Sequence, residues 1–80
     1  MGNSIADRIV TVLMELNVPT ADVTPDTTFE AMDIDSLLLE ELALRLQKSF
    51  GIEIETGELV PEQTVAEAAV VIAAKGVAVA

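Results

Sequence analysis

Ser36 is the residue of this chain whose type and position best suit it to carry an attached group. It lies in Asp35-Ser36-Leu37, where an acidic stretch with two prolines ends and an apolar periodic stretch begins. An Asp at a helix N-cap accepts hydrogen bonds from the free backbone N–H groups of the first turn, so the pattern predicts a helix that begins at Ser36. A hydroxyl there lies at the positive end of the helix dipole, where an attached phosphate is favoured.

The composition excludes several kinds of catalytic centre. The 80 residues include no Cys and no His, so the chain alone offers no disulfide, no Cys-based zinc site and no Ser-His-Asp or Cys-His centre. Asp33 and Asp35 are not followed by the ligand series of a calcium loop, and we expect no metal site. We therefore expect that the chain is not an enzyme.

The charge and the hydropathy limit the possible partners. The chain has 4 Lys and Arg residues against 14 Asp and Glu residues, a net charge of −10, which argues against nucleic-acid binding and favours protein partners with basic surfaces. The apolar run of residues 68–74 is too short to span a membrane. The N-terminus lacks the features of a signal peptide. We expect a cytoplasmic, monomeric protein that does not bind membranes.

Two long helices are predicted in the first part of the chain. Apolar residues at helical spacing predict the first from about Ser4 to Leu16, and Pro19 prevents its continuation. Residues 17–35 are predicted to form a long first loop. The second helix is predicted from Ser36 to Phe50, with Gly51 as a left-handed C-cap.

The last part of the chain is predicted to contain a short helix and a third main helix. Residues Thr56 to Val60 are expected to form one or two helical turns before Pro61. Thr64 and Glu67 have the spacing of a capping box, which predicts a last helix from Val65 to about residue 74. Residues 77–80 are expected to fray.

Together these elements predict an all-α fold. The expected architecture is a small four-helix bundle, with three main helices and one short helix, in a single domain of residues 1–80. The predicted core consists of large apolar residues on the inward stripes: Ile9, Leu13, Phe29, Leu42, Leu46, Phe50, Ile54, Val65 and Ile72.

The outer face of the second helix carries both leucines and charges. Leu37, Leu38 and Leu39 cannot all face inward, because successive helical residues point about 100° apart. Leu39 fits the apolar stripe, so Leu37 or Leu38 should lie near the surface. Glu41 precedes Arg45 by four residues, which predicts an ion pair between them.

The chain resembles an acyl carrier protein over nearly its whole length. The stretch from Thr24 to Leu37 is similar to the loop that leads into that family's Asp-Ser-Leu attachment motif. Residues 42–54 resemble the rest of the family's second helix and its exit, and Thr64-Val65 resembles the start of its last helix. A Gly commonly stands at or near the position of Asp33. The basic residues late in the second helix resemble free-standing carriers of polyketide synthesis.

The resemblance implies that a phosphopantetheinyl transferase moves 4′-phosphopantetheine from coenzyme A onto the Ser36 hydroxyl. The thiol of that arm then carries acyl or polyketide intermediates as thioesters to a ketosynthase, an acyltransferase or other synthase enzymes. A fatty-acid carrier or a peptidyl carrier is the alternative within this class. An acidic helical adaptor without a prosthetic group is the alternative from another class.

Partner enzymes are expected to contact the start and outer face of the second helix. Acids there would attract basic partners, leucines would supply an apolar centre, and Arg45 with Lys48 would disfavour the wrong enzymes. The predicted contact residues are Asp35, Leu37, Leu38, Glu41, Leu44 and Arg45.

Overall fold

A computed structural model describes residues 5–55 and 57–76 and shows an all-helical fold. Helix α1 spans Ile5–Glu15, a 3₁₀ turn spans Glu30–Met32, α2 spans Ser36–Phe50 and α3 spans Val65–Ala73. The described residues contain no β-strand, only an isolated bridge between Thr28 and Thr64. None of the helices in this part of the chain is long and apolar enough to cross a membrane. The predicted all-α class is therefore confirmed.

Helix α1 ends at a left-handed residue that the sequence reasoning did not identify. Asn17 has a φ of 65°, and the N–H of Val18 donates to the carbonyl of Leu13 at 3.0 Å. A left-handed residue followed by such a bond closes the last turn of a helix, and Asn is among the residues that tolerate this conformation. The predicted end at Leu16 lies one residue beyond the observed end, and the predicted start at Ser4 lies outside the described residues.

The predicted limits of α2 and the predicted start of α3 are confirmed. Gly51 has a φ of 68°, and its N–H donates to the carbonyl of Gln47 at 2.8 Å, as expected of a left-handed C-cap. At α3, the N–H of Glu67 donates to Thr64 Oγ1 at 3.0 Å, and the N–H of Thr64 donates to Glu67 Oε1 at 2.9 Å. This reciprocal pair is the predicted capping box.

The predicted short helix before Pro61 is wrong over residues 57–60, which form turns and bends, and Thr56 lies outside the described residues. Side chains take the place of helical hydrogen bonds there. The N–H of Val60 donates to Gln63 Oε1 at 3.0 Å, and Gln63 Nε2 donates to the carbonyl of Glu58 at 3.0 Å. Because these bonds satisfy the backbone locally, they compete with helix formation. The described residues therefore contain three α-helices, with a 3₁₀ turn at Glu30–Met32 inside the predicted first loop, and the four-helix count is not confirmed.

One cluster of buried apolar side chains forms the core. Of the nine predicted core residues, eight are buried: Ile9, Leu13, Phe29, Leu42, Leu46, Ile54, Val65 and Ile72. Phe50 is only half-buried, because it is the last residue of α2 and is followed by the exposed Gly51. The connections contribute Val18, Ile34 and Leu59 to the cluster.

The connection between α1 and α2 is hydrogen-bonded to the connection that precedes α3. The N–H of Phe29 donates to the carbonyl of Gln63 at 3.0 Å, and the N–H of Glu30 donates to the carbonyl of Pro61 at 2.9 Å. Phe29 is fully buried. The two connections therefore form one hydrogen-bonded unit around a core side chain.

The same unit also holds the start of α3. The N–H of Val65 donates to the carbonyl of Thr27 at 3.0 Å, and the N–H of Ala66 donates to the carbonyl of Pro25 at 2.9 Å. Both donors belong to the first turn of α3, where the N–H groups have no partner within the helix. The first connection thus satisfies backbone groups that would otherwise depend on solvent.

Shortening Leu46 should destabilise the fold by about 2–5 kcal/mol, because its side chain is fully buried in the core. Urea unfolding of Leu46→Ala measures this change. Leu44→Ala is the matched control, since Leu44 lies on the same helix and is 54% exposed, so its loss should cost much less. Equal unfolding midpoints for the two variants would show that the inward face of α2 is wrongly assigned.

Candidate functional site

Ser36 is the first residue of α2, and it is exposed. The preceding Asp35 is the N-cap, and its Oδ1 accepts a hydrogen bond from the N–H of Leu38 at 2.9 Å. The N–H groups of Ser36 and Leu37 have no hydrogen-bond partner among the described residues. Free N–H groups at the positive end of a helix suit the oxygens of a phosphate, so this position fits a phosphate-linked group on the serine.

The backbone that leads to Ser36 is fixed by a left-handed turn at Asp33, which has φ 61° and ψ 29°. The N–H of Ile34 donates to the carbonyl of Phe29 at 3.1 Å, and both side chains are buried. A Gly would adopt this conformation without strain, and Asp tolerates it better than most other residues because its short side chain can bond locally. The departure from Gly at Asp33 therefore leaves the turn intact.

The outer face of α2 exposes apolar side chains close to Ser36. Leu37 is 75% exposed and Leu44 is 54% exposed, whereas Leu38 is half-buried. The prediction that Leu37 or Leu38 lies at the surface is confirmed for Leu37. Glu41 is exposed on the same helix. This face therefore combines carboxylates with leucines that no described residue covers.

The predicted ion pair between Glu41 and Arg45 is wrong. Arg45 Nη1 instead lies 3.6 Å from Oε1 of Glu15, which is the last residue of α1. The packing of α1 against α2 brings this carboxylate within reach of the guanidinium, and no salt bridge joins Arg45 to Glu41 in the described residues. Both partners are largely exposed, so the pair contributes little to stability. It leaves the Glu41 carboxylate available to a partner.

A cleft of about 400 Å³ begins at Ser36 and runs between α2 and the segment that follows it. From α2 it is lined by Ser36, Leu39, Glu40, Ala43, Leu44 and Gln47. The opposite wall consists of residues of the segment 54–61, including Ile54, Leu59, Val60 and Pro61. The sequence reasoning did not find this cleft, because it exists only where two separate segments meet.

The far wall of the cleft is anchored to the end of α3. Lys75 Nζ lies 2.9 Å from Glu58 Oε1 and donates to Glu58 Oε2, also at 2.9 Å. The N–H of Glu55 donates to the same Oε2 at 2.8 Å. The backbone N–H of Glu55 first, and then the Lys75 ammonium, hold the pKa of the Glu58 carboxyl below its ordinary value. Glu58 thus links its own turn to the residue Lys75 that follows α3.

The described residues contain no group of His, Cys, Asp and Glu side chains that is arranged to hold a metal ion. The arrangement that they do contain is an exposed serine at a helix N-terminus beside a cleft. Such an exposed hydroxyl at a helix N-terminus is accessible to a modifying enzyme and suits the attachment of a phosphate-linked group.

Sequence comparison assigns the chain to a family. The profile of the family described as "Phosphopantetheine attachment site" matches residues 7–70. The chain belongs to this family, and its relatives show that it is an acyl carrier protein. Proteins of this kind bear phosphopantetheine, carry acyl groups and have no catalytic activity of their own.

The relatives include both free-standing carriers and a synthase. An acyl carrier protein of Thermobifida fusca is 40% identical over 63 residues, which are 76% of this chain and 80% of the relative. Polyketide-8 synthase acyl carrier protein 2 of Streptomyces avermitilis is 40% identical over 45 residues, 55% of this chain and 52% of that protein. Non-reducing polyketide synthase stmB of Aspergillus ustus is 31% identical over 82% of this chain, which covers only 3% of the synthase. No solved structure matches the chain significantly.

Replacing Asp35 by Ala should destabilise the protein by about 0.5–2 kcal/mol, because the N–H of Leu38 loses its acceptor at the helix start. Asp35→Asn is the matched control, since it keeps a side-chain oxygen and caps about as well. Urea unfolding compares the three proteins. An Ala variant as stable as the Asn variant would show that the cap does not contribute.

The stability difference between wild type and Glu58→Gln should depend on pH. The pKa of Glu58 is lowered in the folded state, so its contribution is present above the ordinary value of 4.5 and is lost as the pH falls through the lower folded value. Unfolding measured from neutral to acidic pH should therefore show that the greater stability of wild type over Glu58→Gln disappears below pH 4.5. An advantage that persists unchanged in strong acid would contradict the role of the Glu58 charge.

Proposed function

We propose that this chain carries acyl or polyketide intermediates as thioesters on a 4′-phosphopantetheine group attached to Ser36. The observation that carries the proposal is the exposed Ser36 hydroxyl at the capped N-terminus of α2. In the attachment reaction, Ser36 Oγ forms a bond to the phosphorus of coenzyme A that bears the pantetheine. The bond to the adenosine bisphosphate breaks, and the serine proton is removed by the phosphopantetheinyl transferase.

The residues around Ser36 suit the phosphodiester that this reaction creates. Two free N–H groups, those of Ser36 and Leu37, can donate to the phosphate oxygens. The Asp35 carboxylate is held by the N–H of Leu38, so the cap remains in place when the serine is modified. The attached group supplies a flexible arm and a thiol for thioester formation. The protein presents that arm from a rigid helix, which raises the local concentration of the cargo at a bound partner.

We further propose that the cleft beside Ser36 receives the tethered cargo. Ser36 itself lines the cleft, and the remaining lining is largely apolar, with Leu39, Leu44 and Leu59 among its residues. Burial of apolar cargo against these side chains is favourable. The cleft is open to solvent beside Ser36, so the cargo can leave it while the core stays folded.

A free-standing carrier of polyketide synthesis is the preferred assignment within the class. Arg45 and Lys48 make the C-terminal half of α2 less acidic, and one relative is named as a polyketide synthase carrier. A fatty-acid carrier or a peptidyl carrier is the alternative. The match to the phosphopantetheine attachment family argues against an adaptor without a prosthetic group.

The outer face of α2 is the proposed contact surface for the transferase and for synthase enzymes such as a ketosynthase or an acyltransferase. Exposed leucines would form the desolvated centre of a small, transient contact, and the acids would steer basic partners toward it. The residues assigned to this surface are Asp35, Leu37, Leu38, Glu41, Leu44 and Arg45. The net charge of −10 opposes self-association, so we propose that the protein acts as a monomer. We also propose that it acts in the cytoplasm.

Ser36→Ala should abolish modification by coenzyme A and a phosphopantetheinyl transferase, because no hydroxyl remains at the proposed position. Intact mass spectrometry should show one phosphopantetheine adduct on wild type and none on the variant. Ser49→Ala is the matched control, since Ser49 is exposed on the same helix, and it should be modified like wild type. An adduct on Ser36→Ala would overturn the assignment.

Glu41→Lys should slow modification or acyl transfer, because it reverses a charge on the proposed contact surface. The loss should shrink as salt is raised, since salt screens attraction between exposed charges. Glu62→Lys makes the same change of net charge at an exposed residue outside this surface, and its rates should stay near wild type. Equal effects of the two substitutions at low salt would indicate a response to net charge rather than to this face.

A further inference from the structure

Gln47 is a half-buried polar residue in the lining of the cleft. Its Oε1 accepts a hydrogen bond from the N–H of Ile54 at 2.9 Å. A backbone N–H can only donate, so this bond fixes which end of the carboxamide is oxygen. The other end, Nε2, therefore carries two N–H donors that are not directed to Ile54.

Those donors have no partner among the described residues. In the same part of the chain, no buried side-chain nitrogen or oxygen lacks a hydrogen bond. Since Gln47 is not an exposed residue, its unpartnered Nε2 must reach open space rather than lie sealed in the core. The residue is thus oriented by one bond and left with its donors accessible beside the cleft.

The other polar side chains of the cleft do not offer such a donor in the loaded protein. Glu40 and Glu55 also line it, and ionised carboxylates only accept hydrogen bonds. The Ser36 hydroxyl is consumed when a group is attached to it. Among the described lining residues, Gln47 is therefore the side-chain donor that remains in the loaded protein. A hydrogen-bond acceptor on the cargo would find its partner there.

The position of Gln47 places it near the cargo rather than near the attachment point. It follows Ser36 by eleven residues on the cleft side of α2, about 16 Å along the helix axis. An arm that lies along the cleft must cover this separation before its thioester end approaches the carboxamide. What meets Gln47 is then the thioester end and the acyl group joined to it.

We propose that Gln47 Nε2 donates a hydrogen bond to a keto oxygen of a β-ketoacyl group held in the cleft. This inference rests on the proposed attachment at Ser36. Both cargoes bring the thioester carbonyl, but a saturated acyl chain of the same length has no acceptor beyond it, so it displaces water from a Gln47 N–H without replacing that hydrogen bond, which is unfavourable. The cleft therefore discriminates between oxygenated and saturated cargo through one side chain, and Gln47 is a specificity-determining residue of the carrier.

The first test compares β-ketooctanoyl and octanoyl forms of the full chain by NMR, after intact mass has shown that each group is loaded at Ser36. We expect the side-chain amide protons of Gln47 to shift downfield with the β-ketoacyl group and to stay near their holo-form positions with the saturated one. Equal shifts with both cargoes would overturn the inference. A full shift already present in the unacylated holo form would also overturn it, because an amide carbonyl of the arm would then be the partner.

The second test uses Gln47→Glu, which keeps an acceptor for the N–H of Ile54 and removes both donors. The rate of spontaneous thioester hydrolysis at neutral pH, followed by intact mass, measures how well the cargo is held. We expect the variant to speed cleavage of the β-ketoacyl form roughly two- to tenfold, the loss of one hydrogen bond, with little change for the octanoyl form. Ser49→Glu adds the same charge outside the cleft and should match wild type.

An equal effect of Gln47→Glu on both cargoes would overturn the role in specificity. Failure of the proposed function would appear earlier and separately, as the absence of any adduct at Ser36.

Discussion

The position of Ser36 depends on the burial of Phe29. Its side chain is fully enclosed in the core, while its backbone N–H binds Gln63 and its carbonyl accepts the N–H of Ile34. One residue therefore joins the first connection to the segment before α3 and also fixes the turn that leads into α2. Ile34 is buried directly after that turn, so the next two residues, Asp35 and Ser36, have little freedom in where they lie. Rigidity at this exposed site comes from the core beneath it rather than from contacts of the serine itself.

Helix α2 borders the core, the outer surface and the cleft. The 3.6-residue period turns Leu39, Leu42 and Leu46 into the core, while Leu37 and Leu44 emerge at the surface. Glu40 and Gln47 lie along the cleft. Leu39 and Leu44 also line the cleft, but Leu37 does not, so a substitution of Leu37 changes the outer face without loosening the core. This arrangement lets a chain of 80 residues, with a small core, combine a stable fold with an exposed face that carries leucines and carboxylates.

The features that could be predicted from sequence are those decided within a few residues. The Asp35 cap, the Gly51 C-cap and the Thr64–Glu67 capping box each depend on side chains that bond to their own turn. The errors arise where distant segments compete. Glu58 and Gln63 accept hydrogen bonds from the backbone N–H groups of Glu55 and Val60 where a helix was expected, and Glu15 takes the guanidinium that was predicted to pair with Glu41. The cleft depends on the same long-range arrangement, so its lining could not be inferred from the sequence, although the position of Ser36 at the start of α2 could.

The distribution of the few cations shapes how the carrier meets its partners. Two of the four cationic side chains form ion pairs, Arg45 with Glu15 and Lys75 with Glu58. Each offsets the charge of its partner and therefore adds little positive potential at the surface. The surplus of carboxylates therefore dominates the potential around the molecule, which attracts basic surfaces over a distance comparable to the Debye length, about 8–10 Å at moderate salt. Attraction at that range cannot distinguish one basic enzyme from another. At the contact surface that we propose, discrimination comes from the need to cover Leu37 and Leu44 and to accommodate or break the Arg45–Glu15 pair.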